Sequence, residues 1–259
     1  MRPILLLVTS LAATGLAAPI NGILNDVYGF TSDLAEFYAR VGKHIGDLKR
    51  IGDSSPTCDI SKATLPPQAS GLPAPPAGQK LLHVAVGRGT QNYTCAHSLP
   101  DVKPVAVGAL ATLYNASCLA ANYPDLIAIA PDVAINIPLP PDPSTPFPPA
   151  NLELLGHHYF SNATTPIFNL DTTAEHQYGI AISKKKAQMD APTNAVKGEN
   201  GVGDGAVAWL YLETINGTVG GYKSVYRVNT AGGQPPESCA NMPSSFTVQY
   251  AADYYFYGE

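Results

Sequence analysis

The chain has 259 residues, 45% of them apolar and 14% charged, with 23 glycines, 24 prolines and a net charge of −5. That length holds one substantial domain or two small ones. Abundant apolar residues and 14 tyrosines exclude a disordered chain, and no basic patch with interleaved aromatics offers a nucleic-acid footprint.

Met1-Arg2-Pro3 opens an apolar run from Ile4 to Leu16, followed by Ala17-Ala18. A cationic start, an apolar stretch too short to span a bilayer and small residues at the cut predict a secretory signal peptide over 1–17, cleaved after Ala17. Export agrees with an even count of four cysteines and with Asn-X-Ser/Thr acceptors at Asn92, Asn115, Asn162 and Asn216. After the leader no apolar run reaches membrane-spanning length, so no transmembrane segment is expected.

Residues 18–50 predict an amphipathic helix. Ile23, Leu24, Val27, Leu34, Phe37, Val41, Ile45 and Leu48 recur at three- and four-residue steps, with a break expected near Gly29–Ser32. It ends at Lys49-Arg50. The pair suits either a helix C-terminus, where the dipole favours cations, or a dibasic processing site that would make 18–50 a pro-peptide. Residues 51–80 form a Pro-rich arm holding Cys58.

From 81 to 259 the pattern is β. Strands are expected near Leu81–Gly87, Val105–Leu113, Leu126–Ile137, Gly156–Phe160, Ile167–Leu170, Tyr178–Ser183, Ala206–Thr214, Tyr222–Asn229 and Phe246–Tyr257. The prolines of 138–149 predict an exposed polyproline-like loop. Many strands without alternating helices predict an antiparallel β-sandwich or barrel. Four cysteines allow three pairings. We favour Cys58–Cys239 with Cys95–Cys118, the first stapling the arm to the C-terminal region.

Several blocks carry a family resemblance: His83-Val84-Ala85-Val86-Gly87-Arg88-Gly89-Thr90-Gln91-Asn92-Tyr93-Thr94-Cys95, Gly156-His157-His158-Tyr159-Phe160, Ala208-Trp209-Leu210, and Tyr226-Arg227-Val228-Asn229-Thr230-Ala231-Gly232-Gly233-Gln234-Pro235-Pro236. Over about residues 60–245 the chain resembles a domain-of-unknown-function family of secreted fungal proteins with bacterial relatives, often labelled malate dehydrogenase. The resemblance implies a secreted β-rich domain and no catalytic residues. The dehydrogenase label fails on the residues. Gly87-Arg88-Gly89 follows a strand, but Asn92 stands where a dinucleotide fingerprint needs its third glycine, and no helix follows. No cofactor is expected.

Candidate ligand residues are few. His157 and His158 are adjacent and would point to opposite faces of a strand, so one metal would not take both, and no metal site is expected. Glu199, Asp204 and Glu213 cluster in sequence around Trp209, carboxylates near a ring that can stack on sugar. Tyr254, Tyr255 and Tyr257 could stack on a partner. No Gly-X-Ser-X-Gly motif offers a serine nucleophile. The expected role is an extracellular or cell-wall binding, surface or host-interaction protein, with polysaccharide or another extracellular protein as partner. The alternative is a carbohydrate-active enzyme.

Overall fold

The computed structural model describes residues 32–51, 57–142, 144–172, 174 and 176–259. The expected leader and the cut after Ala17 lie outside them.

Strands β1 (Lys80–Thr94), β2 (Val105–Asn115), β3 (Leu154–Asn162), β4 (Thr165–Asp171), β5 (Gln177–Met189), β6 (Trp209–Thr214), β7 (Tyr222–Gly232) and β8 (Ser245–Gly258) follow one another around a closed barrel. Every ladder is antiparallel, and β1 closes on β8 along nearly its whole length. Of the two architectures the alternation allowed, the barrel is the one adopted. Closure removes the free edges that a sheet with such long outer strands would expose.

The interior is built from unequal partners. Small residues of β1 and β2 (Ala85, Gly87, Gly89, Ala109, Ala111) face the rings of Phe168, Tyr250, Tyr254 and Phe256. A Cβ on Gly87 would lie 2.6 Å from the Tyr254 ring, and one on Gly89 would lie 2.0 Å from the Leu110 carbonyl oxygen. Gly87-Arg88-Gly89 is therefore strand interior, where glycine permits close backbone approach. It does not open a helix, and no parallel βαβ unit surrounds it.

A second layer covers the outside of β1, β6, β7 and β8. Val84, Val86, Trp209, Tyr211, Tyr226, Val228, Tyr255 and Tyr257 pack beneath the arm (Ala63, Ala69, Leu72), Phe147 and a helical segment. These strands are buried on both faces, so β8 is enclosed from Tyr250 through Gly258.

The covering segment corrects one expectation. Leu126–Ile137 is helical: after β2 come α2 (Ser117–Asn122), α3 (Pro124–Ile127) and α4 (Ala130–Ala134), following α1 (Ser32–Ile51) in chain order. Pro124 and Pro131 sit in the first turns of α3 and α4, where a missing N–H costs nothing. Most apolar side chains of 126–137 are buried, and a short apolar run of that kind does not reveal its period. Phe147, inside the proline-rich loop, is also buried, bridging to Leu152.

Helix α1 lays Phe37 between Leu126 and Val133, with Leu34 and Val41 beside it. Arg40 donates to the Asp125 carbonyl at 2.5 Å, and His44 Nε2 lies 2.9 Å from the Asp125 carboxylate. Lys49 and Arg50 fall in the helix's last turn.

The disulfides pair differently from the expectation. Cys58 bonds Cys118, and Cys95 bonds Cys239. The arm lies over the start of α2, so Cys58 meets Cys118. Cys95 follows the end of β1, which β8 brings to the β7–β8 connection: the Cys95 N–H donates to the Ser244 carbonyl at 3.0 Å. The favoured pairing assumed that the arm reaches the C-terminal region; the barrel closure sends β1 there instead.

Candidate functional site

A cavity of about 660 Å³ occupies one end of the barrel lumen. Its size falls within the range, about 300–1,000 Å³, of small-molecule sites. Phe160, Phe168, Val207, Leu210 and Leu212 supply apolar wall. β5 pairs with β4 through Gln177–Ile182 and with β6 from Ser183 onward, so the β4–β5 ladder ends at Ile182. Beyond that point Thr164, Thr165, Lys184, Lys185 and Gln188 border the cavity.

The polar groups converge on Arg227. It lies on the inward face of β7, 9% exposed, and its Nε and Nη2 donate to the Ala208 carbonyl at 3.2 and 2.8 Å. Tyr254 borders the cavity beside it, its hydroxyl 2.9 Å from that of Tyr250. Burial raises both phenols above their ordinary range, while the Arg227 charge pulls the other way. The Tyr93 hydroxyl donates to the Gly233 carbonyl at 2.7 Å, and burial pushes it up to about 12. No carboxylate pairs with Arg227 among the described residues, and no Asp or Glu lines the cavity.

His158 completes the cluster. Its ring stacks on Phe168 at 4.3 Å, and Nδ1 lies 3.0 Å from the Ile167 carbonyl oxygen. A carbonyl only accepts, so Nδ1 carries the proton and Nε2 keeps a lone pair. Burial holds its pKa down to about 4, with the Arg227 charge adding to the effect. The imidazole is neutral at physiological pH. Gln91, on the inward face of β1, is 7% exposed, and its Nε2 has no hydrogen-bond partner.

The expected site residues divide sharply. His158 lines the cavity. His157 is only half-buried, on the opposite face of β3, as strand alternation requires. Glu199 and Asp204 are exposed on the loop between β5 and β6 and do not border the cavity. Trp209 is 2% exposed and packs in the outer layer. Tyr254 is buried in the lumen, and Tyr255 and Tyr257 lie under the covering layer, so none presents an exposed stacking face. Of the four sequons, Asn162 at the end of β3 and Asn216 in the β6–β7 turn are exposed, while Asn92 in β1 and Asn115 at the end of β2 are half-buried. Among the described residues, no three His, Cys, Asp or Glu side chains converge as metal ligands would.

Arg227 and Gln91 were not singled out from the sequence. Their strands carry other polar residues as well, so neither side chain stood out by its type. Because β7 is buried on both faces, alternation alone does not tell which face is the lumen.

The fold and site define an antiparallel eight-stranded barrel with a lumenal cavity. Residues 76–258 match the family model described as "Protein of unknown function (DUF3455)", and the chain belongs to that family. Residues 9–73 match a second model, "Protein of unknown function (DUF2990)", which covers α1 and most of the arm. Comparisons with curated proteins and with solved structures give no match.

Proposed function

We propose that this is an exported binding protein whose barrel lumen takes a small molecule. The observation that carries the reading is the 660 Å³ cavity with apolar walls and the buried polar groups Arg227, His158, Tyr254 and Gln91 in its lining. Such a combination suits recognition: the walls supply affinity and a few fixed polar groups supply orientation. Export is supported by the predicted leader, the four sequons and two disulfides. Among the described residues, no helix is long and apolar enough to cross a membrane. The carbohydrate-active alternative gains no carboxylate from the cavity lining.

The test is titration with a neutral environment-sensitive dye such as Nile red. Saturable fluorescence enhancement is expected, and Leu210→Trp, which fills the lumen, abolishes it. Capture on insoluble glucan or chitin that is indifferent to Leu210→Trp, with no dye binding, overturns the reading.

A further inference from the structure

We propose that the lumenal ligand is an amphipathic organic carboxylate, its anionic head against Arg227 and Gln91 and its apolar body along Phe168 and Leu210. The inference rests on the binding reading above and adds the chemical class.

Arg227 is a buried formal charge without a formal counter-charge. Its hydrogen-bond partner, the Ala208 carbonyl, offers partial negative charge only. Burying an uncompensated guanidinium is costly, and an anion bound beside it removes that cost. Three further observations point the same way. Gln91 holds a buried amide donor, Nε2, that no protein acceptor satisfies; a carboxylate oxygen would satisfy it. The lining carries Lys184, Lys185 and Arg227 and no Asp or Glu, in a protein whose net charge is −5. A cleft of one sign in a chain of the other draws the matching ligand. His158 remains a neutral acceptor, so among the buried lining residues the positive charge sits at Arg227, with Lys184 and Lys185 at the exposed rim.

The walls limit the rest of the molecule. A polysaccharide presents hydroxyls on every side and would leave them unpaired against Phe160, Phe168, Val207, Leu210 and Leu212. An alkyl or aryl chain suits them.

The experiment compares octanoate, laurate and phenylpropionate, each beside its methyl ester, by calorimetric titration into the full chain. Each acid is expected to bind about tenfold or more tighter than its ester, the effect of a charge-assisted hydrogen bond. Arg227→Gln is expected to close that gap while ester binding persists. Because Arg227 also braces Ala208, Gln91→Leu serves as a second variant, expected to narrow the gap with the strand bonds intact. Equal affinity for acid and ester overturns the carboxylate proposal and leaves the binding reading standing. Binding of neither series removes both. A gap unchanged in both variants overturns the assignment of the head to Arg227 and Gln91.

Discussion

Asp253 and His158 are both buried, on opposite faces of the barrel wall, and they respond to pH in opposite senses. Asp253 accepts from Asn229 Nδ2 at 2.8 Å through one oxygen, while the other has no partner. Burial pushes its carboxyl well above 3.8, and Asp132 adds to the rise. A folded-state value above the unfolded one means that this group's stability is fully present below 3.8 and is lost as pH rises through the raised value. Asp253→Asn keeps the shape without the ionisation. The variant is expected to hold its melting temperature through neutral and alkaline pH where the parent declines. His158 runs the other way: folded near 4 against 6.5 unfolded, it contributes stability above 6.5 that is lost as pH falls toward 4. The slope is about 1.4 kcal/mol per pH unit in that window. His158→Phe is expected to flatten the acid limb of the same melting profile. An acid limb unchanged by the substitution would place the loss elsewhere.

At the scale of elements, α1 is the least integrated piece. Among its described side chains one is buried, Phe37, and it anchors the helix to α3 and α4. Phe37→Ala removes a packed aromatic, a change of about 3–5 kcal/mol where the side chain is fully enclosed. Hydrogen exchange is expected to quicken across 32–51 and to leave the barrel strands unchanged, since α1 pairs with none of them. The docking also senses pH. Asp132 on α4 is raised to about 7, first by burial and then by Asp33 and Glu36 of α1. Its ionisation as pH rises through 7 sets it against those two carboxylates, with Asp253 a further acidic neighbour beneath. Stability from this contact is therefore whole at low pH and lost above neutrality, and exchange in α1 should accelerate there. If Lys49-Arg50 is the dibasic processing site that the sequence allows, this helix leaves with the segment before it. N-terminal sequencing of the secreted protein decides: a start at Ile51 shows processing, and a start at Ala18 shows that the pair only caps the helix.

For the whole molecule, closure of the first strand on the last dominates. The Cys95–Cys239 bridge spans 144 residues and Cys58–Cys118 spans 60. In the chain-entropy model these contribute about 4 to 5 kcal/mol each, the longer loop somewhat more. Cys95→Ser with Cys239→Ser is expected to lower the urea midpoint more than the matching pair at Cys58 and Cys118. The reverse order would mean that the arm, not the barrel closure, limits stability. The two family models meet between residues 73 and 76, where the arm gives way to β1. The chain thus joins an N-terminal segment and a barrel that the arm and one disulfide hold together.

The sequence by itself determined the all-β class, the proline-rich arm, the helix ending at Lys49-Arg50 and most strand positions. Each is written in local periodicity or turn residues. His158 was legible as a candidate because paired histidines on a strand stand out. Tertiary structure alone decided the rest. The helical turns after Ala116 were not legible because a short, mostly buried apolar run has no readable period. The disulfide pairing follows from a β1–β8 contact between residues more than 150 positions apart in sequence. Arg227 and Gln91 became a site only when strands from both ends of the chain turned the same face inward.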